Sequence, residues 1–218
     1  MRAGYNGVLY PFGADFSHWN SSPELQKYHE QTGMDFFILK CTEGTTAVDP
    51  TTAARVTQVK AMGCPSLLYH FCDKGQDGSA QVAHFFANAG PLAGHLNPAI
   101  DVELDGPQRP GVDPRQYCEM VSHIKDGFKA ETGRFPALYT YGDMLLWMGE
   151  QNIRDCGLTD CPLWWAGYPR GGLKNPVPTV PVWGVPKIWQ YTDRGGFQGD
   201  LDLDIWCGTL DDMKAHIL

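Results

Sequence analysis

The sequence predicts an α/β fold, a barrel that begins with strand–helix repeats and ends with strands that lack full helices. Three observations support this. Short apolar runs alternate with helical segments, several of these runs are apolar throughout, and the alternation weakens after Asp143. Continuous apolar strands are typical of parallel sheets buried on both faces, which need crossover helices. The loss of helices toward the C-terminus favours an irregular barrel over an open doubly wound sheet.

Eight segments are predicted strands because each is a short run rich in apolar residues. They span residues 12–16, 36–40, 67–71, 99–104, 137–141, 163–168, 187–191 and 201–205. Helical segments follow the earlier strands, whereas the last strands are separated by Pro- and Gly-rich sequence. We therefore expect an irregular TIM-like barrel of the (β/α)5β3 type.

Three helices have recognisable starts, since a capping side chain precedes a proline suited to the first helical position. These starts are Ser22-Pro23, Asp49-Pro50 and Asp113-Pro114. The corresponding ends are predicted at Gly33, Gly63 and Gly133, where glycine can supply a left-handed residue. The longest helix carries an apolar stripe at helical spacing, which we expect to pack in the core.

Length and charge limit the functions open to this chain. Its 218 residues contain no linker or internal repeat, and they suit one domain. No apolar run approaches the roughly 20 residues of a membrane span, so no membrane insertion is expected. The net charge of −8, with scattered Lys and Arg, argues against nucleic-acid binding. The N-terminus lacks the apolar core of a secretory signal, so synthesis in the cytoplasm is expected if Met1 is the natural start.

The seven cysteines form an odd set, so at least one is expected to be free or to pair between chains. None forms a Cys-x-x-Cys motif, and no His has the close spacing of a zinc site, so no metal is expected. Cys156 and Cys161 are the first candidates for a local disulfide, because they lie close together in a predicted loop.

Asp101 and Glu103 are the most informative acids. They lie two residues apart on a predicted strand, which places both on one face with Cβ atoms about 6–7 Å apart. The end of a barrel strand is where active sites are built. Two neighbouring carboxylates resist simultaneous ionisation, so one can keep its proton and act as a general acid. The pair alone also fits the polar face of an edge strand.

Other acids and aromatic residues stand at the ends of other predicted strands. Asp15, Glu43, Asp202 and Asp204 are such acids, although each alone could be a turn residue. The accompanying residues are Tyr69, Phe71, Tyr139, Tyr141, Trp165, Tyr168 and Gln190. Carboxylates ringed by aromatic side chains are typical of carbohydrate sites, because sugar C–H faces stack on rings while carboxyl groups perform acid catalysis.

Seven short motifs occur in the order found in family 25 of the glycoside hydrolases, which the sequence resembles from about Phe12 to Cys207. The motifs are Asp15-x-Ser17 with Asn20, Lys40-Cys41-Thr42-Glu43-Gly44, Tyr69-His70-Phe71, Asp101-x-Glu103, Leu163-Trp164-Trp165-Ala166-Gly167-Tyr168, Trp189-Gln190-Tyr191 and Asp202-Leu203-Asp204. No single motif is decisive, whereas all seven in order are specific.

We expect a single catalytic domain over residues 1–218. The sequence departs from the family in showing no wall-binding repeat at its C-terminus, so we expect no separate wall-binding module and expect targeting by the cleft itself or by a partner. The resemblance implies a lysozyme that cleaves the β-1,4 bond between N-acetylmuramic acid and N-acetylglucosamine in bacterial peptidoglycan. The family includes Chalaropsis-type lysozymes and many phage endolysins. A monomer that needs no cofactor, and that reaches the wall by endolysin-like release or by secretion, is expected on this basis.

The resemblance also assigns roles. Glu103 matches the general acid and Asp101 its partner, while Asp15 and Asp202 match the flanking acids. Substrate contacts are expected from Glu43, Tyr69, Phe71, Tyr139, Tyr141, Trp165, Tyr168 and Gln190. The family usually has Asn at the position of Asp204, so Asp202 and Asp204 both remain candidates for the fourth acid. Asp101 either orients the substrate's 2-acetamido group or stabilises the oxocarbenium-like state directly.

Three other functions compete with this interpretation. A catalytically inactive barrel could serve as a wall-binding or phage structural module. A chitinase-like barrel also carries an Asp-x-Glu acid motif, although such barrels are usually much longer. A Cys/His peptidase or amidase would need a reactive pair such as Cys72 and His70, around which the sequence shows no nucleophile motif.

Overall fold

The computed structural model describes residues 4–5, 7–20, 25–104, 109–195 and 201–218. The predicted helix start at Ser22-Pro23 lies outside these residues. No helix among those described is long and apolar enough to cross a membrane.

Eight strands form a closed barrel, because the first and second barrel strands also pair with each other. In chain order they are β3 (Phe12–Phe16), β4 (Phe36–Glu43), β6 (Ser66–Phe71), β7 (Leu96–Asp101), β8 (Ala137–Tyr141), β9 (Leu163–Ala166), β10 (Ile188–Gly195) and β11 (Leu201–Trp206). The three remaining strands are β1 (Gly4–Tyr5), β2 (Val8–Leu9) and β5 (Ala47–Val48). Around the barrel the order is β3-β11-β10-β9-β8-β7-β6-β4.

The helices follow the first five barrel strands, as the sequence predicts. They are α1 (Leu25–Thr32), α2 (Thr52–Ala61), α3 (Gly78–Ala89), α4 (Pro114–Thr132), and the pair α5 (Gly142–Met148) and α6 (Glu150–Asp155). A short final helix, α7 (Leu210–Lys214), follows β11. All neighbouring barrel strands are parallel except those that pair with β11, which runs antiparallel to β10 and β3. The predicted irregular α/β barrel is therefore confirmed.

Two apolar cores explain the continuous apolar strands. One fills the barrel and contains large side chains such as Phe36, Trp164 and Trp206. The other lies between the barrel and its helices, where Phe37, Leu68 and Phe128 are fully buried or nearly so. Because each parallel strand faces both cores, few of its positions are left to solvent.

The predicted ends of α4 agree with the structure, whereas α2 begins two residues later than predicted. The Asp113 side chain accepts hydrogen bonds from the backbone N–H groups of Arg115 and Gln116, at 2.8 and 3.1 Å. Gly133 ends the same helix with a left-handed φ of 77°. Helix α2 begins at Thr52, two residues after Pro50, because the Asp49 side chain accepts from the Thr51 N–H and hydroxyl and holds a turn there.

The predicted disulfide between Cys156 and Cys161 is wrong. All seven cysteines lie within the described residues, and all are free thiols. Cys161 is buried, whereas Cys156 is half-buried at the end of α6.

Candidate active site

A cleft opens at the carboxyl ends of the parallel strands, with a volume of about 280 Å³. Its walls combine carboxyl groups with aromatic rings. The lining residues are Asp15, Ser17, Trp19, Asn20, Lys40, Tyr69, Phe71, Asp101, Glu103, Tyr139, Trp164, Gln190 and Asp202. In a β/α barrel this end is the usual place of the active site, since the loops that follow the strands converge there.

Asp101 is the last residue of β7 and is held on both sides by its neighbours. It lies in register with Phe71 on β6 and Tyr139 on β8. Its carbonyl accepts from the Cys72 N–H at 3.0 Å. The Asp101 side chain is only 5% exposed, whereas Glu103 is half-buried and faces the cleft beyond the strand.

The predicted strand over 99–104 therefore lies three residues too far toward the C-terminus, since β7 spans Leu96–Asp101. The ladder ends at Asp101, and the Val102 N–H makes one further hydrogen bond to the Tyr139 carbonyl at 3.0 Å. Beyond it, the Tyr141 hydroxyl donates to the Leu104 carbonyl at 3.1 Å. A side chain thus replaces the backbone ladder and fixes the segment that carries Glu103.

The electrostatics of this pair favour a retained proton. Burial raises the pKa of the Asp101 carboxyl well above its ordinary value, and the negative charge of Glu103 raises it further. Lys40 opposes the shift with its positive charge. Because the two neighbouring carboxyl groups resist simultaneous ionisation, one of them can carry a proton near neutral pH.

Asp15 and Asp202 face the same cleft from β3 and β11. Burial, followed by the charges of Asp204 and Asp202, raises the pKa of Asp15 well above its ordinary value. Burial and the charge of Asp193 raise the pKa of Asp202 to about 6. The cleft-facing acid of β11 is Asp202, because Asp204 is fully buried inside the barrel.

Gln190 connects the two sides of the cleft. Its side-chain Nε2 donates to the Asp15 Oδ2 at 2.7 Å. Its Oε1 accepts from the hydroxyl groups of Tyr139 and Tyr168, at 3.1 and 2.5 Å. These bonds fix the orientation of the Gln190 amide, so that an N–H group points at Asp15.

The cleft brings together eight of the twelve residues predicted for the site. They are Asp15, Tyr69, Phe71, Asp101, Glu103, Tyr139, Gln190 and Asp202. Three others lie near it without lining it. Glu43 pairs with the Lys40 ammonium at 2.7 Å, Tyr141 holds Leu104, and Tyr168 holds Gln190.

Trp165 is placed differently from the prediction. It packs on the outer core against the helices, and Trp164 lines the cleft instead. Successive residues of a strand point to opposite faces, and Trp164 lies in register with the inward-facing Tyr139. The sequence offers two adjacent tryptophans, and only the strand register distinguishes them.

The cleft also contains residues that were not predicted for the site, namely Ser17, Trp19, Asn20, Lys40 and Trp164. Trp19 is 83% exposed, with its indole against the His18 ring at 4.7 Å between centroids. Lys40 is buried, and its ammonium lies 4.7 Å from the centre of the Phe71 ring. Four of the five belong to the motifs that carry the family resemblance, and Trp19 lies between Ser17 and Asn20 of the first motif, so the motifs themselves are the available signal.

No group of three or more His, Cys, Asp or Glu side chains suited to a metal occurs in the part of the chain that the structure describes. The side chains that line the cleft supply carboxyl groups, one ammonium group, amides, hydroxyl groups and aromatic rings.

A barrel whose cleft joins paired carboxyl groups to aromatic rings has the features of a carbohydrate-cleaving enzyme. Comparison with known families gives the same class, since residues 14–200 match the model described as Glycosyl hydrolases family 25. The match covers most of the chain, which therefore belongs to this family and is a glycoside hydrolase.

Characterised relatives align over nearly the whole chain. Lysozyme M1 of Streptomyces globisporus is 28% identical over 208 residues, which cover 90% of this chain and 68% of the relative. The N,O-diacetylmuramidase of Chalaropsis sp is 27% identical, with coverage of 93% and 96%. Among solved structures, a muramidase from Trichobolus zukalii superposes with a TM-score of 0.79 at 28% identity, covering 94% of this chain and 98% of that one.

Proposed function

We propose that this family 25 hydrolase is a lysozyme, which cleaves the β-1,4 bond between N-acetylmuramic acid and N-acetylglucosamine in bacterial peptidoglycan. The observation that carries the proposal is the Asp101–Glu103 pair at the floor of an aromatic cleft. The relatives named as lysozyme and N,O-diacetylmuramidase supply the substrate class. This substrate places the action of the enzyme at the bacterial cell wall.

Glu103 is assigned as the general acid. It is the more exposed member of the pair and stands past the end of β7, where a glycosidic oxygen can approach it. It protonates the leaving oxygen and, in the second step, removes a proton from the attacking water. The Tyr141–Leu104 hydrogen bond keeps this segment in place, which assigns Tyr141 a positioning role.

Asp101 is assigned as the partner that handles the positive charge of the transition state. It is buried and anchored by the strand, so it changes position little during the reaction. We assign it to orient the 2-acetamido group, whose oxygen attacks the anomeric carbon and whose N–H needs an acceptor. When Glu103 carries the proton of the pair, Asp101 is ionised and can accept that N–H. The positive charge of Lys40, which Glu43 holds, favours this state against the effect of burial.

The sugar rings are held by the walls of the cleft. Tyr69, Phe71, Tyr139 and Trp164 present ring surface to it, and Trp19 stands at its rim. Aromatic faces pack well against the C–H faces of sugars, while Asp15 and Asp202 accept hydrogen bonds from their polar groups. Tyr168 acts through Gln190, whose orientation it fixes.

The test is a substitution that removes the acid and keeps its shape. Glu103→Gln cannot donate the proton, so we expect the rate of peptidoglycan hydrolysis to fall by at least about 100-fold with binding retained. Glu131→Gln is the matched control, because Glu131 is an exposed acid in the last turn of α4. Lysis by Glu103→Gln at the rate of the control would refute the assignment.

A further inference from the structure

Two carboxyl groups lie next to each other where β3 and β11 meet. Asp204 is fully buried, and in the strand register it stands opposite Gly13 on β3 and Gln190 on β10. Asp15, two residues beyond Gly13, opens to the cleft and is within hydrogen-bonding reach of Asp204. The pairing of β11 with β3, which closes the barrel, thus places Asp15 of the cleft next to the buried Asp204.

The hydrogen-bond donors around the two groups leave one oxygen unsatisfied. The Trp164 indole N–H donates to the Asp204 Oδ1 at 2.8 Å, and Gln190 donates to the Asp15 Oδ2 at 2.7 Å. The buried Asp204 Oδ2 receives no hydrogen bond from any described donor when both acids are ionised. Such an oxygen is costly inside a protein, and two adjacent buried carboxylates repel each other.

A single proton shared by the two groups satisfies the Asp204 Oδ2 and removes the repulsion between the two carboxylates. If Asp15 carries it, its O–H donates to the Asp204 Oδ2 while its other oxygen still accepts from Gln190. We propose that Asp204 is a positioning residue, which shares one proton with Asp15 and thereby fixes the orientation of the Asp15 carboxyl group beneath the cleft, with its Oδ2 left as an acceptor. Loss of the proton places two negative charges side by side, so the two groups must separate and Asp15 loses its fixed position.

The surroundings of the pair favour the retained proton. Among the residues that the structure describes, the charged neighbour is Asp202 on β11, whose negative charge opposes further ionisation. The other titratable groups that interact with the pair are neutral, because burial raises their pKa values; they are Tyr69, Tyr139, Tyr168, Tyr191 and Cys207. Burial above all raises the pKa of Asp204 to about 7.

Infrared titration of the unliganded protein tests the shared proton directly, since a protonated carboxyl group has a carbonyl stretch that a carboxylate lacks. Between about pH 5 and about pH 9, wild type should lose protonated carboxyl absorption. Over the same interval, Asp204→Asn should lose the absorption of about one protonated carboxyl group fewer than wild type. Its amide N–H takes the place of the shared proton, so Asp15 is ionised throughout. Asp15→Asn should show the same deficit, and it preserves the test if the first variant folds poorly.

Asp211→Asn is the matched control, since it makes the same change of charge at an exposed position on α7. Its infrared titration should equal that of wild type. Titrations of Asp204→Asn and Asp15→Asn that are indistinguishable from the control would overturn the shared proton, whether or not the protein hydrolyses peptidoglycan.

The positioning role rests on the proposed function and has its own readout. Asp204→Asn should shift the pH dependence of kcat relative to wild type, because Asp15 no longer releases the shared proton, with KM little changed. If the infrared deficit is confirmed but kcat is unaltered at every pH, the shared proton stands and the positioning role is overturned. Absence of hydrolysis by wild type would instead refute the proposed function.

Discussion

At the residue scale, local pattern predicts much of the site. The Asp-x-Glu spacing marks Asp101 and Glu103 because alternation along a strand puts both on one face, and both line the cleft. The choice between Trp164 and Trp165 could not be predicted, since it depends on the register with β8. The contact between Asp15 and Asp204 depends on closure of the barrel, which joins strands from opposite ends of the chain.

Trp19 allows a prediction at the same scale. Its exposed indole at the cleft rim offers a stacking surface for a sugar, and such contacts contribute on the order of 1 kcal/mol. Trp19→Ala should therefore raise KM for peptidoglycan roughly five-fold and leave kcat nearly unchanged. Val185→Ala, an exposed apolar position that precedes β10, is the control. Equal KM values for the two variants would exclude Trp19 from substrate binding.

At the element scale, the sequence predicts the strands well and their ends less well. The strands at 12–16 and 137–141 have the predicted bounds, because each is a self-contained apolar run. Strand β7 ends at Asp101 rather than at Leu104, because its neighbour β6 ends in register with it at Phe71. Helix α2 starts late because the Asp49 side chain competes for the first backbone N–H groups. The end of β7 thus depends on a strand elsewhere in the sequence, whereas the start of α2 depends on a neighbouring side chain.

The crossing of α3 and α4 gives a prediction for a glycine. A Cβ at Gly127 would lie 2.7 Å from the Val82 Cγ2, so the two helices meet through the missing side chain. Alanine has the higher helix propensity, by about 1 kcal/mol, yet the clash should outweigh it. We expect Gly127→Ala to lower the free energy of unfolding by about 1–3 kcal/mol in urea denaturation. The double variant Gly127→Ala/Val82→Ala should recover part of the loss, and stabilisation by Gly127→Ala would contradict this packing.

At the scale of the whole molecule, the sequence predicts the barrel class because its strand–helix order permits few other architectures. The sequence does not predict that four acids lie close together inside the barrel. Asp15, Asp101, Asp202 and Asp204 come from three different strands, and their common burial raises the pKa of each. A charge of −8 spread along the sequence does not reveal that four acids share one site.

These raised pKa values predict how stability depends on pH. The folded state keeps carboxyl protons that the unfolded chain releases near pH 4, so stability falls as pH rises toward and through the folded pKa values. Burial also lowers the pKa of His70 to about 4 and that of His95, which has the opposite effect below about pH 6.5. Between about pH 6.5 and about pH 8 the acids are the main contributors, at up to about 1.4 kcal/mol per proton and pH unit. The buried thiols act in the same direction, because burial raises their pKa values.

We therefore expect the free energy of unfolding in urea to decrease between about pH 6.5 and about pH 8. Chemical denaturation at constant ionic strength measures this slope. Stability that rises over this interval would show that the four acids are ionised in the folded protein.

The products of digestion report directly which glycosidic bond of the wall is cut. Purified peptidoglycan is digested with wild type, with Glu103→Gln as the blank, and the released muropeptides are reduced and analysed by mass spectrometry. We predict N-acetylmuramic acid at the reducing ends in the wild-type digest and no comparable release by the variant. N-acetylglucosamine at the reducing ends would contradict the proposal, because the enzyme would then cleave the other glycosidic bond of the wall.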